Sequence, residues 1–149
     1  MIVSQSTDIA AAPERVHGFF EAMEENYRNW HPDHIVFRWM DAGRHVQEGS
    51  AFYIEERING QLLKRTMRFT RVEPARHLEF APESLLIRFF LKRVVFAIEP
   101  LGRGCRLTQS LHIRIGPIGY WLNRRGFAAV ERHMREEGQN MKATLERAS

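Results

Sequence analysis

The sequence predicts an α+β domain in which a curved antiparallel sheet of about six to seven strands wraps around a long C-terminal helix. Three observations carry that expectation. Segments of strand length follow one another through the middle of the chain, each closed by a turn signal. A helical pattern stands near the N-terminus, and a longer one closes the chain. Helices kept apart from a run of hairpin-linked strands make an α+β domain, and no repeat, linker or low-complexity tract divides the 149 residues, so 1–149 reads as one unit.

The first strand runs near Ile2 to Ile9. "AAPERVHGFFEAM" then starts a helix, with Pro13 near its first turn and Val16, Phe19, Phe20 and Met23 on one face. "EENYRNWHPDH" reads as a connecting segment stiffened by Pro32. "IVFRWM", "SAFYIEERI" and "QLLKRTMRFTRV" read as strands, the last two joined by "NG", a strong hairpin signal. "HLEFA", "LLIRFFLKRVVFAIE" and "CRLTQSLHIRI" follow as three more, separated by "EPAR", "PES" and "PLGRG". The final helix runs from about Tyr120 to Leu145, with Gly126 and Gly138 as weak points. A sheet curled around such a helix can enclose a cavity for a small molecule.

Composition narrows the function classes. No apolar run approaches the roughly 20 residues of a membrane span, and the N-terminus lacks a secretory layout, so the expected location is the cytoplasm, without an integral membrane segment. The single cysteine, Cys105, excludes an internal disulfide and a cysteine-based zinc site, and its strand pattern makes it a core residue. A net charge of +4 permits anionic partners. Its basic residues are dispersed and no nucleic-acid-binding motif appears, so no nucleic-acid partner is expected.

Polar residues on apolar faces point to chemistry. The last helix carries the stripe Phe127, Val130, Met134, Met141 and Leu145, and His133 and Glu137 fall on or beside it, one turn apart. Helical spacing sends Glu136 to the other side. In "SAFYIEERI" strand parity groups Glu56 with Phe52, Ile54 and Ile58, the face that should be buried. A buried carboxylate needs a cation, a proton or a metal; a register slip or an arginine partner would also account for it. Parity sends His112 outward, and His17, His45 and His77 have no comparable setting. "NWHPDHIVF" offers His31 and His34, the second immediately before a strand. Imidazole and carboxylate donors together suit zinc or another divalent transition metal.

With these segments in view, the layout resembles the SRPBCC superfamily, the START or Bet v 1-like helix-grip fold, over essentially the whole chain. Within it, "YRNWHPDH", the strand ending near "EERING" and the C-terminal "HMREEG" resemble the zinc-dependent diacetylphloroglucinol hydrolases. That resemblance implies a zinc ion held by His34, Glu56, His133 and Glu137, and hydrolysis of a carbon–carbon bond in an acylphenol or β-diketone-like substrate. It matches Tyr27 to a tyrosine that contributes to the substrate pocket, and we assign it a catalytic hydrogen bond to a substrate oxygen. His31 or Asp33 would orient His34. A second reading is a non-catalytic carrier of a small apolar or aromatic molecule in the sheet–helix cavity. A third, docking to a membrane surface through "LLIRFFLKRVVF", ranks below both because the run reads as a buried strand flanked by solvated Arg and Lys.

Overall fold

The computed structural model describes residues 1–40 and 46–147, and His45 lies outside the described residues. The elements are β1 (Ile2–Ile9), α1 (Pro13–Glu21), α2 (Met23–Trp30), β2 (His34–Trp39), β3 (Ala51–Ile58), β4 (Gln61–Glu73), β5 (His77–Pro82), α3 (Leu85–Phe90), β6 (Leu91–Leu101), β7 (Gly104–Ile113), α4 (Pro117–Leu122) and α5 (Arg124–Arg147). The strands form one antiparallel sheet in the order β1-β7-β6-β5-β4-β3-β2. Every neighbouring pair except β1–β7 is consecutive in sequence, and that pair joins the chain's first strand to its last. This is the α+β architecture the sequence predicts.

Local chemistry explains most of the elements. Pro13 opens α1, whose buried residues are the predicted Val16, Phe19 and Phe20. At the β3–β4 hairpin both turn residues have positive φ, 54° at Asn59 and 75° at Gly60, the conformation that suits the right-handed twist of the two strands. Register shifts at His34/Val36, Phe69/Arg71 and Leu91/Arg93 mark bulges, which bend strands and help curl the sheet. Cys105 is buried in the core, as its strand pattern requires.

Three segments differ from the expectation. "EENYRNW" is helical: Met23, Tyr27 and Trp30 recur at helical spacing and are the buried residues of α2, so the apolar stripe outweighs the polar composition. The C-terminal helix is interrupted at Asn123, leaving α4 as a separate short helix before α5. "LLIRFFLKRVVFAIE" is not one strand. Its first six residues form α3, where the Ser84 hydroxyl accepts a hydrogen bond from the Ile87 amide, and only Leu91 onward pairs in the sheet. A short apolar run fits a helix or a strand equally well by periodicity, and here the Ser84 cap and the start of β6 pairing at Leu91 decide.

Buried side chains from α1, α2, the sheet and the last turns of α5 meet in one core that includes Val16, Leu107 and Met141. Helix α5 approaches β1 so closely at Gly138 that a Cβ there would lie 2.2 Å from Thr7 Oγ1. The helix weak point is therefore a packing requirement. Gly138→Ala is expected to lose about 1 kcal/mol of stability, because about 1–3 kcal/mol of overpacking outweighs a propensity gain of about 1 kcal/mol. Thr7→Ala in the same background should recover the propensity gain; urea unfolding of both variants is the check.

Candidate functional site: a two-histidine, two-glutamate cluster on an apolar cavity

Between the concave sheet and α5 lies a cavity of about 300 Å³. Aromatic side chains wall much of it, among them Phe37, Phe52, Phe69 and Phe96 from the sheet and Tyr27 and Trp30 from α2. Into this wall project Glu56, Arg65, Gln109, His133 and Glu137. Cross-strand parity explains three of them: Glu56 shares its face with Ile54, Arg65 with Met67, and Gln109 with Leu107.

The four predicted donors converge. The β2–β3 register sets His34 directly opposite Glu56, and α5 carries His133 and Glu137 one turn apart above them. His34 Nε2 lies 3.0 Å from Glu137 Oε2 and 3.8 Å from Glu56 Oε2. His133 Nε2 lies 3.6 Å from Glu137 Oε1 and 3.8 Å from Glu56 Oε2. Both histidines are buried, and both Nε2 atoms lack a hydrogen-bond partner despite these short separations. His34, Glu56 and His133 each offer a ligand atom within 4.8 Å of the others. Two imidazoles and two carboxylates with unsatisfied ring nitrogens at the centre fit a zinc-type ion by donor chemistry.

The surroundings orient this set. A backbone carbonyl can only accept, so His34 Nδ1, 3.0 Å from the Tyr27 carbonyl, carries the proton. That bond turns Nε2 toward the carboxylates. The Tyr27 ring stacks on His34 with centroids 4.0 Å apart, and its hydroxyl reaches Glu56 Oε2 at 3.4 Å. Trp30, which sequence reasoning passed over, ties α2 to the site turn of α5: its Nε1 donates to the Glu137 carbonyl at 2.9 Å, and Asn140 Nδ2 donates to the Trp30 carbonyl at 2.9 Å. Its place in the Met23–Tyr27–Trp30 stripe was the available signal.

His31 is buried but faces elsewhere. The Asp33 amide donates to its Nδ1 at 3.0 Å, and its Nε2 sits 3.4 Å from Glu136 Oε2; its ring lies 4.2 Å from that of His133, and with Asp33 and His133 it forms a second group of possible ligand atoms. It is thus His34, rather than His31, that the fold brings to Glu56. Asp33 Oδ2 lies 3.9 Å from both His31 Nδ1 and His133 Nδ1, so it stands beside His133 and not as an orienting partner of His34.

The electrostatics pull the two carboxylates apart. Burial alone would raise Glu137, but its contacts with His133 and His34 reverse this and hold it down to about 2. Burial, reinforced by the Glu137 charge, pushes Glu56 up, and Arg65 in the same wall offsets this only slightly. His133 would be lowered by burial, yet Glu137 raises it. Burial and the neighbouring carboxylates push Tyr27 up, which keeps it a phenol and a hydrogen-bond donor. The cluster thus holds one carboxylate ionised and drives the other toward its neutral form, a coupled arrangement that a divalent cation would relieve.

No curated protein matches the chain. Solved structures do, over nearly their whole length. TTHA0849 from Thermus thermophilus has a TM-score of 0.75 at 15% identity, covering 100% of this chain and 99% of that one. The Zhui aromatase/cyclase from Streptomyces sp. R1128 has 0.74 at 15%, covering 99% and 94%. A START superfamily protein from Mycobacterium smegmatis has 0.70 at 15%, covering 99% of each. Identities this low establish the fold, which is the START-like helix-grip. The family model described as polyketide cyclase/dehydrase and lipid transport matches residues 1–146, and the chain belongs to that family.

Proposed function

We propose that this protein binds a small, largely apolar aromatic molecule bearing phenol or ketone oxygens in the sheet–helix cavity, against a divalent metal, zinc by donor type, held by His34, Glu56, His133 and Glu137. The observation that carries the reading is the wall itself: an aromatic cavity whose polar groups gather at the face of α5. Such a cavity accepts an apolar body and orients its oxygens at one end. The family description and the aromatase/cyclase neighbour support a phenolic or polyketide-like ligand. When bound, zinc would polarise a carbonyl and lower the pKa of water.

The chain's own residues supply the rest. The apolar wall excludes water from the ligand, and the Tyr27 carbonyl keeps His34 in one tautomer. The Tyr27 hydroxyl, protonated and at the cavity wall, can donate to a ligand oxygen in place of Glu56. A second reading, hydrolysis of a carbon–carbon bond in an acylphenol or β-diketone, is favoured by the two-histidine, two-glutamate donor set, which resembles that of the diacetylphloroglucinol hydrolases. In it Tyr27 is the catalytic hydrogen-bond donor.

Titration with an acylphloroglucinol, followed by quenching of Trp30 and Trp39 at the cavity wall, is expected to saturate at one site per chain. Ile54→Phe, which fills the cavity from β3, should weaken it about tenfold or more while leaving the melting temperature near wild type. Unsaturable quenching, or no effect of Ile54→Phe, would refute cavity binding. Acetate release during the same titration separates hydrolysis from binding alone.

A further inference from the structure

Because residues 85–90 form a helix on the surface rather than a buried strand, their apolar side chains have no place in the core. Leu85, Leu86 and Phe89 of α3 are 79%, 76% and 58% exposed, and Ile118, Trp121 and Leu122 of α4 are 76%, 60% and 67% exposed. The two helices flank one end of β7. The Arg114 amide, just past that strand, donates to the Phe90 carbonyl at the end of α3, and α4 begins at Pro117. So much exposed apolar surface at one end of a domain marks a contact site.

The charge around it is of one sign. Between Glu83 and Glu131 the only acidic residue is Glu99, while Arg88, Lys92, Arg93, Arg114, Arg124 and Arg125 lie on or beside the two helices. Glu83 itself pairs with Arg68. Leu85, Arg88, Phe89, Lys92 and Arg114 line one shallow depression. Guanidinium groups cover the aromatic rings, Arg114 at 5.2 Å from the Phe89 centroid and Arg124 at 4.6 Å from that of Trp121. Apolar side chains with basic groups beside them match a surface that is apolar below and anionic above. A second copy of the same face would oppose cation to cation.

We propose that α3 and α4 form a docking surface for an anionic lipid bilayer, with Leu85, Leu86, Phe89, Ile118, Trp121 and Leu122 entering the interface and the flanking Arg and Lys meeting the headgroups. No helix is long and apolar enough to cross a membrane, so the contact is peripheral. Phe90 and Leu91 also line the cavity, so this surface abuts the ligand site. The proposal does not depend on any metal or ligand.

Trp121 makes the test direct, because it is exposed whereas Trp30 and Trp39 are buried. The full chain should float with vesicles of phosphatidylcholine containing about one-third phosphatidylglycerol, bind pure phosphatidylcholine at least tenfold more weakly, and shift its emission to the blue. Trp121→Phe should bind but lose the blue shift. Leu86→Ser/Phe89→Ser, which leaves charge unchanged, and Lys92→Gln/Arg125→Gln should each weaken partitioning about tenfold or more. These positions are exposed, and equal melting temperatures would show that the variants fold. Three results would overturn the proposal: no flotation with anionic vesicles, unchanged partitioning of Leu86→Ser/Phe89→Ser, or a stable dimer whose Trp121 emission is already blue and indifferent to vesicles.

Discussion

On the proposed zinc site, replacing Glu137 with alanine is expected to abolish stoichiometric zinc binding and the thermal stabilisation expected of it. Glu137 contacts both His34 Nε2 and His133 Nε2, so its loss removes the carboxylate that stands against both imidazoles. Wild-type protein purified without added metal should carry about one zinc per chain by elemental analysis. At a thousandfold excess of zinc over its dissociation constant the folded state gains about 4 kcal/mol. For a domain of this size that corresponds to a rise of about 10 °C in Tm. His133→Ala should behave like Glu137→Ala, while Glu136→Ala, which removes a contact with His31 and none with His34 or Glu56, should keep its metal. Wild-type protein without metal and without a thermal response to zinc would end the metal reading and leave the cavity's ligand binding untouched.

The second large effect concerns the metal-free protein and acid. Glu137 is held down to about 2, below its unfolded value of about 4.3. A lowered carboxylate stabilises the fold above its unfolded pKa, and the contribution disappears as pH falls through the folded value. Chelator-treated protein should therefore lose about 3 kcal/mol from this group between about pH 5 and pH 2. Glu56 has the opposite sign: its pKa is raised, so its contribution is present at low pH and turns into a cost as pH rises through the folded value. Urea midpoints measured from acid to neutral pH should show Glu137→Gln flattening the acid limb and Glu56→Gln gaining stability toward neutral pH. Parallel acid limbs for wild type and Glu137→Gln would show that this carboxylate is not held ionised by the two histidines.

Much of the candidate site was legible because side-chain periodicity is a property of the backbone. A period of two put Glu56 on the apolar face of its strand, and a period near 3.6 put His133 and Glu137 on one face of α5; Glu136, expected on the other side, instead meets the buried His31. The same argument, applied to "QLLKRTMRF", puts Arg65 inward beside Met67, a residue that inspection of carboxylates and histidines alone leaves out. His34 and His31 stand three residues apart around Pro32, and no periodicity ranks two histidines in a turn. The choice rests on the bulged β2–β3 register, which sets His34 opposite Glu56 while His31 turns toward Glu136.

The succession of strands and the inward faces of Glu56, His133 and Glu137 could be read from the chain, since these follow from local periodicity and turn residues. Long-range packing set which histidine stands opposite Glu56, why Gly138 must lack a side chain, and that "LLIRFF" is a surface helix instead of a strand interior. Each of those depends on contacts between residues far apart in the chain: β2 with β3, α5 with β1, and α3 at the margin of a sheet that takes up only Leu91 onward. Short apolar runs and turn residues have several local minima of similar energy, and long-range packing selects among them.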